Sequence, residues 1–396
     1  MMSLALFASS ILSLLIWCVL LFARGGFWRT RCAPRVSGDA LAAVGDWPAV
    51  VAVVPARNEA DVIGAAVTSL LEQAYEGDFH VIVVDDHSTD GTADCARAAA
   101  LALGKPERLT VIKAEPLPAG WSGKVWAQSQ GVAAVGSRGL AADYLLLTDA
   151  DIAHPADAVE QLVARATIER RDLVSLMVRL RCDSAWEKAL IPAFVFFFAK
   201  LYPFNRVNDP RNKTAAAAGG CMLVKRTALE EAGGMESIRA ALIDDCTLAA
   251  RIKHRGQGGH AIALDVAANS RSLRPYDGPG EIWNMIARTA FTQLHYSAWL
   301  LVGTLIGMTV IYLVPPVVAL VLGPLGWPAW LAWAAMCCAY APMLRYYGRS
   351  PWWAPALPLV ALFYVGATLA SAIRYWRGKG GQWKARVQAP APGQGG

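Results

Sequence analysis

Short apolar runs that stop at carboxylates place the tightest limit on how this chain can fold. Residues 49–54 are continuously apolar and lead to Glu59, residues 79–84 end at Asp85-Asp86, and residues 144–147 lead to Asp149-Ala150-Asp151. A fourth acidic site, Asp244-Asp245, stands just before a helical pattern at 248–251. Continuous apolar runs of this length read as strands buried on both faces, the habit of parallel sheets. Helical patterns fall between them, over 59–73, through 95–103 and onward from Lys124, and 109–113 reads as a further strand. The alternation predicts an α/β fold with a parallel sheet and right-handed crossovers. Its carboxylates would then gather at the carboxyl ends of strands, the edge where open α/β sheets bind ligands. A nucleotide and a divalent cation would both find acceptors there.

Much of the remaining sequence belongs in lipid. Of 396 residues, 55% are hydrophobic and only 17% charged, against about 25% charged in ordinary soluble domains. Residues 3–22 are apolar throughout, long enough to cross about 30 Å of hydrocarbon. No basic segment precedes them and no small-residue cleavage site follows, which argues against a cleaved signal peptide. Arg24, Arg29, Arg31 and Arg35 come next, so the positive-inside rule puts the large domain in the cytoplasm.

Three more apolar stretches, 298–321, 327–344 and 352–373, are broken by Pro315-Pro316, Pro324, Pro328 and Pro351. One plus three crossings would leave the basic tail 374–386 outside. Either one Pro-rich stretch is re-entrant or interfacial, or the tail breaks the rule. Residues 187–204 form a shorter apolar stretch holding Lys200, expected as a helix on the membrane surface, with a buried core helix as the alternative. The expected organisation is an anchor (1–23), a basic linker (24–46), a cytoplasmic domain (47–275), an interfacial helix (276–297), a membrane bundle (298–374) and a basic tail (375–396), with 388–396 disordered. The net charge of +6 comes largely from Arg and Lys beside the apolar stretches, a placement suited to anionic lipid headgroups rather than nucleic acid. The eight cysteines include no CxxC or CxxxC pair, so no zinc framework or disulfide scaffold is legible.

Familiar nucleotide motifs are absent. Pro55-Ala56-Arg57-Asn58-Glu59 stands where a dinucleotide site needs G-x-G-x-x-G, and Gly123-Lys124 continues into Val125 with Pro118 in place of a P-loop's first glycine. Asp149-Ala150-Asp151 is a D-x-D at a strand end. Mg2+ and Mn2+ favour such oxygens and bridge from them to phosphates, although Asp at a strand end also serves ordinary turns. Asp85-Asp86 is placed to accept hydrogen bonds from a base or ribose, or to cap a turn with Ser88 and Asp90. One of Asp244 and Asp245 can favour the helix dipole, which leaves the other for general-base work on an acceptor hydroxyl. The glycine pairs at 219–220 and 233–234 let backbone approach a ligand, or simply turn the chain.

Taken together and in order, VVPARNEADVIG (53–64), VIVVDDHSTDGTAD (81–94), GKVWAQSQG (123–131), YLLLTDADIAHP (144–155), AAGGCMLVKRTALEEAGG (217–234) and IDDCTLAARIK (243–253) resemble the membrane-bound family-2 glycosyltransferases. Within that family, GWSGKVWAQSQG (120–131), RTAFTQLHYS (288–297) and the short C-terminal bundle look most like the hopene-associated enzymes of bacterial hopanoid biosynthesis. Ceramide glucosyltransferase is next in pattern. The resemblance implies a GT-A fold, a Rossmann-like nucleotide-diphospho-sugar transferase domain between membrane helices, in a bacterial inner membrane with the catalytic domain facing the cytoplasm.

By the same resemblance Pro55, Arg57, Glu59 and Asp86 cradle the nucleoside, and Lys124 lies near the donor. Asp149 and Asp151 hold Mg2+ or Mn2+ on the diphosphate, and Asp245 is the catalytic base with Asp244 beside it. Gly219 and Gly220 fall on the acceptor and diphosphate side. Many members carry a Q-x-x-R-W block before their last membrane segments; here Thr292-Gln293-Leu294-His295-Tyr296 takes its place. His295 would donate to a diphosphate and Tyr296 would stack on the acceptor. The implied reaction is inverting, metal-dependent transfer of one hexose from a nucleotide-diphosphate sugar, a UDP-sugar, to a membrane lipid such as a hopanoid. A processive polysaccharide synthase, a ceramide-glucosyltransferase-like glycolipid synthase and a silent nucleotide-sugar binder are the competing readings.

Overall fold

Every residue of the first strand, β1 (Val50–Ala56), is buried, as its unbroken apolar run demands. In the computed structural model, which describes residues 2–255, 261–383 and 386–387, β1 follows an apolar helix, α1 (Met2–Phe22), and a short one, α2 (Gly38–Ala42). After it come α3 (Ala60–Leu71), β2 (Phe79–Asp85), α4 (Thr92–Ala102), β3 (Leu109–Lys113), α5 (Gly123–Ser137) and β4 (Tyr144–Thr148). These four strands are parallel and ordered β3-β2-β1-β4. Side chains alternate between faces along each strand. Val50, Ala52 and Val54 pack on the face that also buries Ile63 of α3 and Ala96 of α4. Val51 and Val53 pack on the opposite face with Val125 of α5.

The second half departs from an all-parallel sheet. The chain continues through β5 (Ile152–Ala153), α6 (Ala158–Ile168), β6 (Leu173–Arg179), α7 (Ala185–Leu201), α8 (Phe204–Asn208), β7 (Cys221–Lys225), α9 (Arg226–Glu231), α10 (Asp244–Lys253) and β8 (Ile262–Ser272). β7 inserts between β4 and β6, antiparallel to both, while β8 is parallel to β6 and β5 pairs antiparallel with β8. The cause is the excursion through α7 and α8. It leaves from the carboxyl end of β6, and β7 starts again at that same edge, with Cys221 paired to Thr148. A strand entering from the carboxyl edge can only run antiparallel to β4.

Residues 187–204, expected on the membrane surface, lie mostly in α7, a buried helix. Leu190, Ile191, Val195 and Phe196 are all under 5% exposed, because the helix is covered by the sheet domain on one side and by the apolar C-terminal helices on the other. Phe196 meets the Tyr340 ring at 5.2 Å and Phe197 meets Tyr364 at 4.8 Å. Ser184 and Glu187 form a capping box that fixes where the helix begins.

The C-terminal part holds α11 (Pro279–Thr289), α12 (Ala298–Met308), α13 (Val314–Leu322), α14 (Trp327–Tyr346) and α15 (Leu357–Trp376). Among the described residues three helical stretches are long and apolar enough to cross a membrane: Ser3–Phe22, Ala298–Tyr346 and Pro351–Trp376. The second has 49 residues; at about 1.5 Å per residue it would far exceed one bilayer if straight. It folds back at Gly323, whose φ of 54° suits glycine, and α13 packs against α14. A π-helical turn, Thr309–Leu313, joins α12 to α13. Its Ile311 carbonyl accepts from Trp17 Nε1 of α1 at 2.9 Å. The expectation for 388–396 lies outside the described residues.

Candidate active site

The winding of the sheet decides where ligands can sit. From β1 the chain steps through β2 to β3 on one side and then returns to β4 on the other. The gap beyond the carboxyl ends of β1 and β4 is therefore a topological switch point. A cavity of about 550 Å³ opens there, lined by Pro55 and Glu59 after β1, Asp149 and Asp151 after β4, and Lys124 and Asp245. Gly219 and Gly220 also line it. Eight of the residues singled out from sequence thus converge from five separate segments.

The acids are organised by two cations. Lys124, in the first turn of α5, places Nζ 2.8 Å from Asp149 Oδ1 and 3.4 Å from Asp244 Oδ2. Burial works against its charge, but Asp149 and Asp244 more than offset that and hold its pKa above the usual lysine value. On the other side, Arg274 places Nη2 2.5 Å from Glu59 Oε1 and Nε 3.3 Å from Asp151 Oδ2. Ser272 Oγ donates to the same Asp151 oxygen at 2.9 Å.

Asp245 opens α10, and its two oxygens are held apart by backbone donors. Gly219 N–H donates to Oδ2 at 2.9 Å and Cys246 N–H donates to Oδ1 at 2.7 Å. Burial first, and the neighbouring Asp244 second, push its pKa up to about 6, against the pull of Lys124. Burial likewise raises Asp149. A methyl group on Gly219 would stand 3.0 Å from Lys124 Nζ and 3.4 Å from Asp245 Oδ2. Glycine here keeps lysine and carboxylate within reach of one another.

A buried network aims the D-x-D. Thr148 Oγ1 donates to Gly220 O at 2.8 Å and lies 3.0 Å from His154 Nε2, whose Nδ1 is 3.1 Å from Ser270 Oγ. Because the Thr148 proton goes to Gly220, His154 must donate from Nε2 and accept at Nδ1. Burial drops the His154 pKa to about 4, so the ring stays neutral and the arrangement holds at neutral pH. Nothing in the sequence pattern marks these residues.

Other expected residues fall elsewhere. Arg57 Nη1 donates to Asp86 O at 2.6 Å and Asp86 is 1% exposed; the pair stands beside the cavity without lining it. Asp85 serves the turn, accepting from Ser88 N–H at 3.1 Å. Tyr296 stacks on Tyr375 at 4.4 Å between centroids, and neither it nor His295 lines a cavity described here. From that stretch it is Gln293 and Leu294 that do. Glu281 and Asn284, which the sequence did not single out, line the polar cavity from α11 together with Arg288. Their i, i+3, i+7 spacing, one face of a helix, was the available signal.

A second cavity, about 390 Å³, adjoins the first. Lys124, Asp149, Gly219, Asp245 and Arg288 line both. Its remaining wall is largely apolar, with Phe197 from α7, Leu305 and Met308 from α12, and Val365 from α15.

Residues 51–233 match the model of Glycosyl transferase family 2. The chain carries a family 2 glycosyltransferase domain. The glycosyltransferase is similar over 94% of its length to 97% of a mannosyltransferase from Pyrobaculum calidifontis, solved in complex with GDP-Man and Mn2+, at 19% identity and a TM-score of 0.54. That likeness establishes the GT-A fold, with its mixed, curled sheet. Glucosyl-3-phosphoglycerate synthase from Mycobacterium tuberculosis is more distant, at 20% identity and a TM-score of 0.42 over 67% of this chain and 87% of that one. No curated protein matches the chain.

Proposed function

We propose that this glycosyltransferase moves a single sugar, with inversion, from a nucleotide-diphosphate sugar to a hydroxyl of a lipid drawn from the membrane. The shared wall of the two cavities carries the reading: a donor in the polar cavity and a lipid in the apolar one would meet at Asp245. A UDP-sugar is the expected donor, and the GDP-Man of the Pyrobaculum enzyme makes GDP-mannose the second candidate. The resemblance of 120–131 and 288–297 to hopene-associated enzymes supports a hopanoid as the lipid. The replaced Q-x-x-R-W block supports one sugar per acceptor over a polymer.

In this mechanism Asp245 takes the proton of the acceptor hydroxyl as its oxygen attacks the anomeric carbon. The bond from that carbon to the diphosphate breaks, and the nucleoside diphosphate departs on the side of Lys124. The backbone donors Gly219 and Cys246 keep the carboxylate oriented. The residues present fit a divalent cation: Asp149 Oδ2 and Asp151 Oδ1 carry no hydrogen bond among the described residues, which leaves two hard oxygens for it. No cluster of three or more His, Cys, Asp or Glu is set to hold a metal among the described residues; Mg2+ commonly relies on one or two carboxylates, substrate phosphates and water. A cation held there would neutralise charge growing on the leaving diphosphate. Because the base must be ionised and its pKa is near 6, kcat/KM should fall about tenfold per pH unit below pH 6 and level off above it. A pH–rate profile measured from pH 4.5 to 8 checks this; a profile flat to pH 5 contradicts it.

The tail and the catalytic domain are proposed to share one side of the membrane. Tyr346, at the end of α14, donates to Ala267 O of the sheet at 2.8 Å, and Arg374, near the end of α15, donates to Asn284 Oδ1 of α11 at 2.8 Å. Between these points the Pro355 carbonyl accepts from Trp333 Nε1 of α14 at 3.3 Å. This geometry supports a re-entrant 351–376, a reading under which the basic tail would lie inside. A C-terminal green fluorescent protein fusion should fluoresce and a C-terminal alkaline phosphatase fusion should stay silent. The reverse pair of results would make the stretch a true span.

The reaction is tested by following nucleoside diphosphate release in detergent across UDP- and GDP-sugars, with Mn2+ and with or without extracted bacterial lipid. Release that depends on lipid supports the proposal. Equal release without lipid, or none from any donor, contradicts it.

A further inference from the structure

The two pairs of charges in the polar cavity play different parts. Lys124 answers carboxylates on α10 and after β4, whereas Arg274 reaches back from the segment between β8 and α11 to close on Glu59 and Asp151 at once. Its guanidinium thus occupies one oxygen of the D-x-D and ties it to the nucleoside side of the cavity. We propose that Arg274 is a positioning residue that stands in for the divalent cation in the resting enzyme and exchanges with it when donor and metal arrive together. This rests on the reading of Asp149 and Asp151 as the metal carboxylates.

The chemistry of the exchange follows from charge. Asp151 and Glu59 facing one another across the cavity without a cation would repel, and Arg274 answers both. Burial opposes its charge, but those two carboxylates outweigh it and raise its pKa. A bare divalent ion on the open oxygens of Asp149 and Asp151 must still compete with this internal partner for the charge of Asp151, because the guanidinium on Oδ2 repels it. An ion arriving with a diphosphate need not, because the diphosphate offers the displaced guanidinium new acceptors in a bidentate geometry that Arg favours. Metal without nucleotide should therefore bind weakly and the pair should bind well, a coupling that is reciprocal between the two ligands. The arm carrying Arg274 is short and anchored just beyond: Tyr276 N–H donates to Glu187 Oε1 at 2.9 Å. The guanidinium can then shift by its own rotamers while the backbone stays pinned to the start of α7.

The test is Mn2+ binding to the full-length protein in detergent, read by electron paramagnetic resonance with no donor turnover. Wild type, Arg274→Ala, Arg274→Lys and Asp151→Asn are titrated with Mn2+ alone and with Mn2+ plus UDP or GDP. Arg274→Ala should bind Mn2+ alone roughly tenfold tighter than wild type, and the gain that nucleotide adds should shrink by a similar factor. Arg274→Lys should fall close to wild type, because its charge still competes, and Asp151→Asn should lose the site. Unchanged or weaker binding of Mn2+ alone by Arg274→Ala, with a wild-type melting curve, would overturn the proposal. If that variant does not fold, Arg274→Lys matched against Arg274→Gln decides the same question. Mn2+ bound by no protein even with nucleotide would overturn the metal reading itself, and this inference with it.

Discussion

Asp245→Asn is expected to lower turnover by about 10²–10⁴-fold, the usual contribution of a positioned general base. The substitution is nearly isosteric and leaves the cavity wall in place, so donor binding should survive. It is not silent structurally. Both oxygens of Asp245 accept backbone N–H groups, and an amide can accept only one of them. One of the Gly219 and Cys246 donors loses its partner, at a cost on the order of 1 kcal/mol. A small drop in melting temperature with a large drop in rate is the expected pair of results. Turnover within a few-fold of wild type would remove Asp245 from the role.

Lys124→Met should have the opposite balance, with stability affected as much as rate. Lys124 is 18% exposed, and it is the cation that Asp149 and Asp244 face. Removing one partner of a largely buried charge group typically costs about 3–5 kcal/mol, and here the carboxylates are left to repel one another. The variant's pH dependence follows from linkage. With Lys124 gone, Asp149 and Asp245, whose pKa values burial already raises above those of the unfolded chain, lose the cation that held them down. Such groups stabilise the fold fully at low pH and lose that contribution as pH rises through their folded values. The deficit against wild type should therefore be large at pH 7 and narrow toward pH 4. Thermal unfolding in detergent at several pH values checks this, and a deficit independent of pH would mean that Lys124 acts through packing alone. Its loss should also slow transfer, since the departing diphosphate loses a cation.

What the sequence revealed follows physical locality. β1, β2, β3 and β4 were legible because each is a contiguous apolar run closed by a polar turn. The acids at their ends were legible with them. Asp149, Asp151, Lys124 and Asp245 converge as expected because the parallel half of the fold brings the carboxyl ends of its strands to one edge. The antiparallel β7 was not legible, since its direction depends on the path of α7 and α8 rather than on its own residues. α7 itself reads the same whether a membrane or a protein covers it; only the positions of Tyr340 and Tyr364 decide. Arg274 gave no signal at all. It is one arginine in a polar stretch, and its importance comes from Glu59, 215 positions earlier in the chain. The stacking of Tyr296 on Tyr375 was hidden for a related reason, since its partner lies far along the chain.

The central claim is that sugar passes from a nucleotide to a membrane lipid at Asp245. The measurement that tests it most directly is the fate of a labelled sugar. Purified protein in detergent is given labelled donor, Mn2+ and extracted bacterial lipid, and the products are partitioned between water and organic solvent and then weighed by mass spectrometry. The account predicts that label enters the organic phase as a lipid heavier by a single sugar, and that Asp245→Asn leaves the label in water. Label recovered as a polymer, or only as free sugar regardless of lipid, would contradict it.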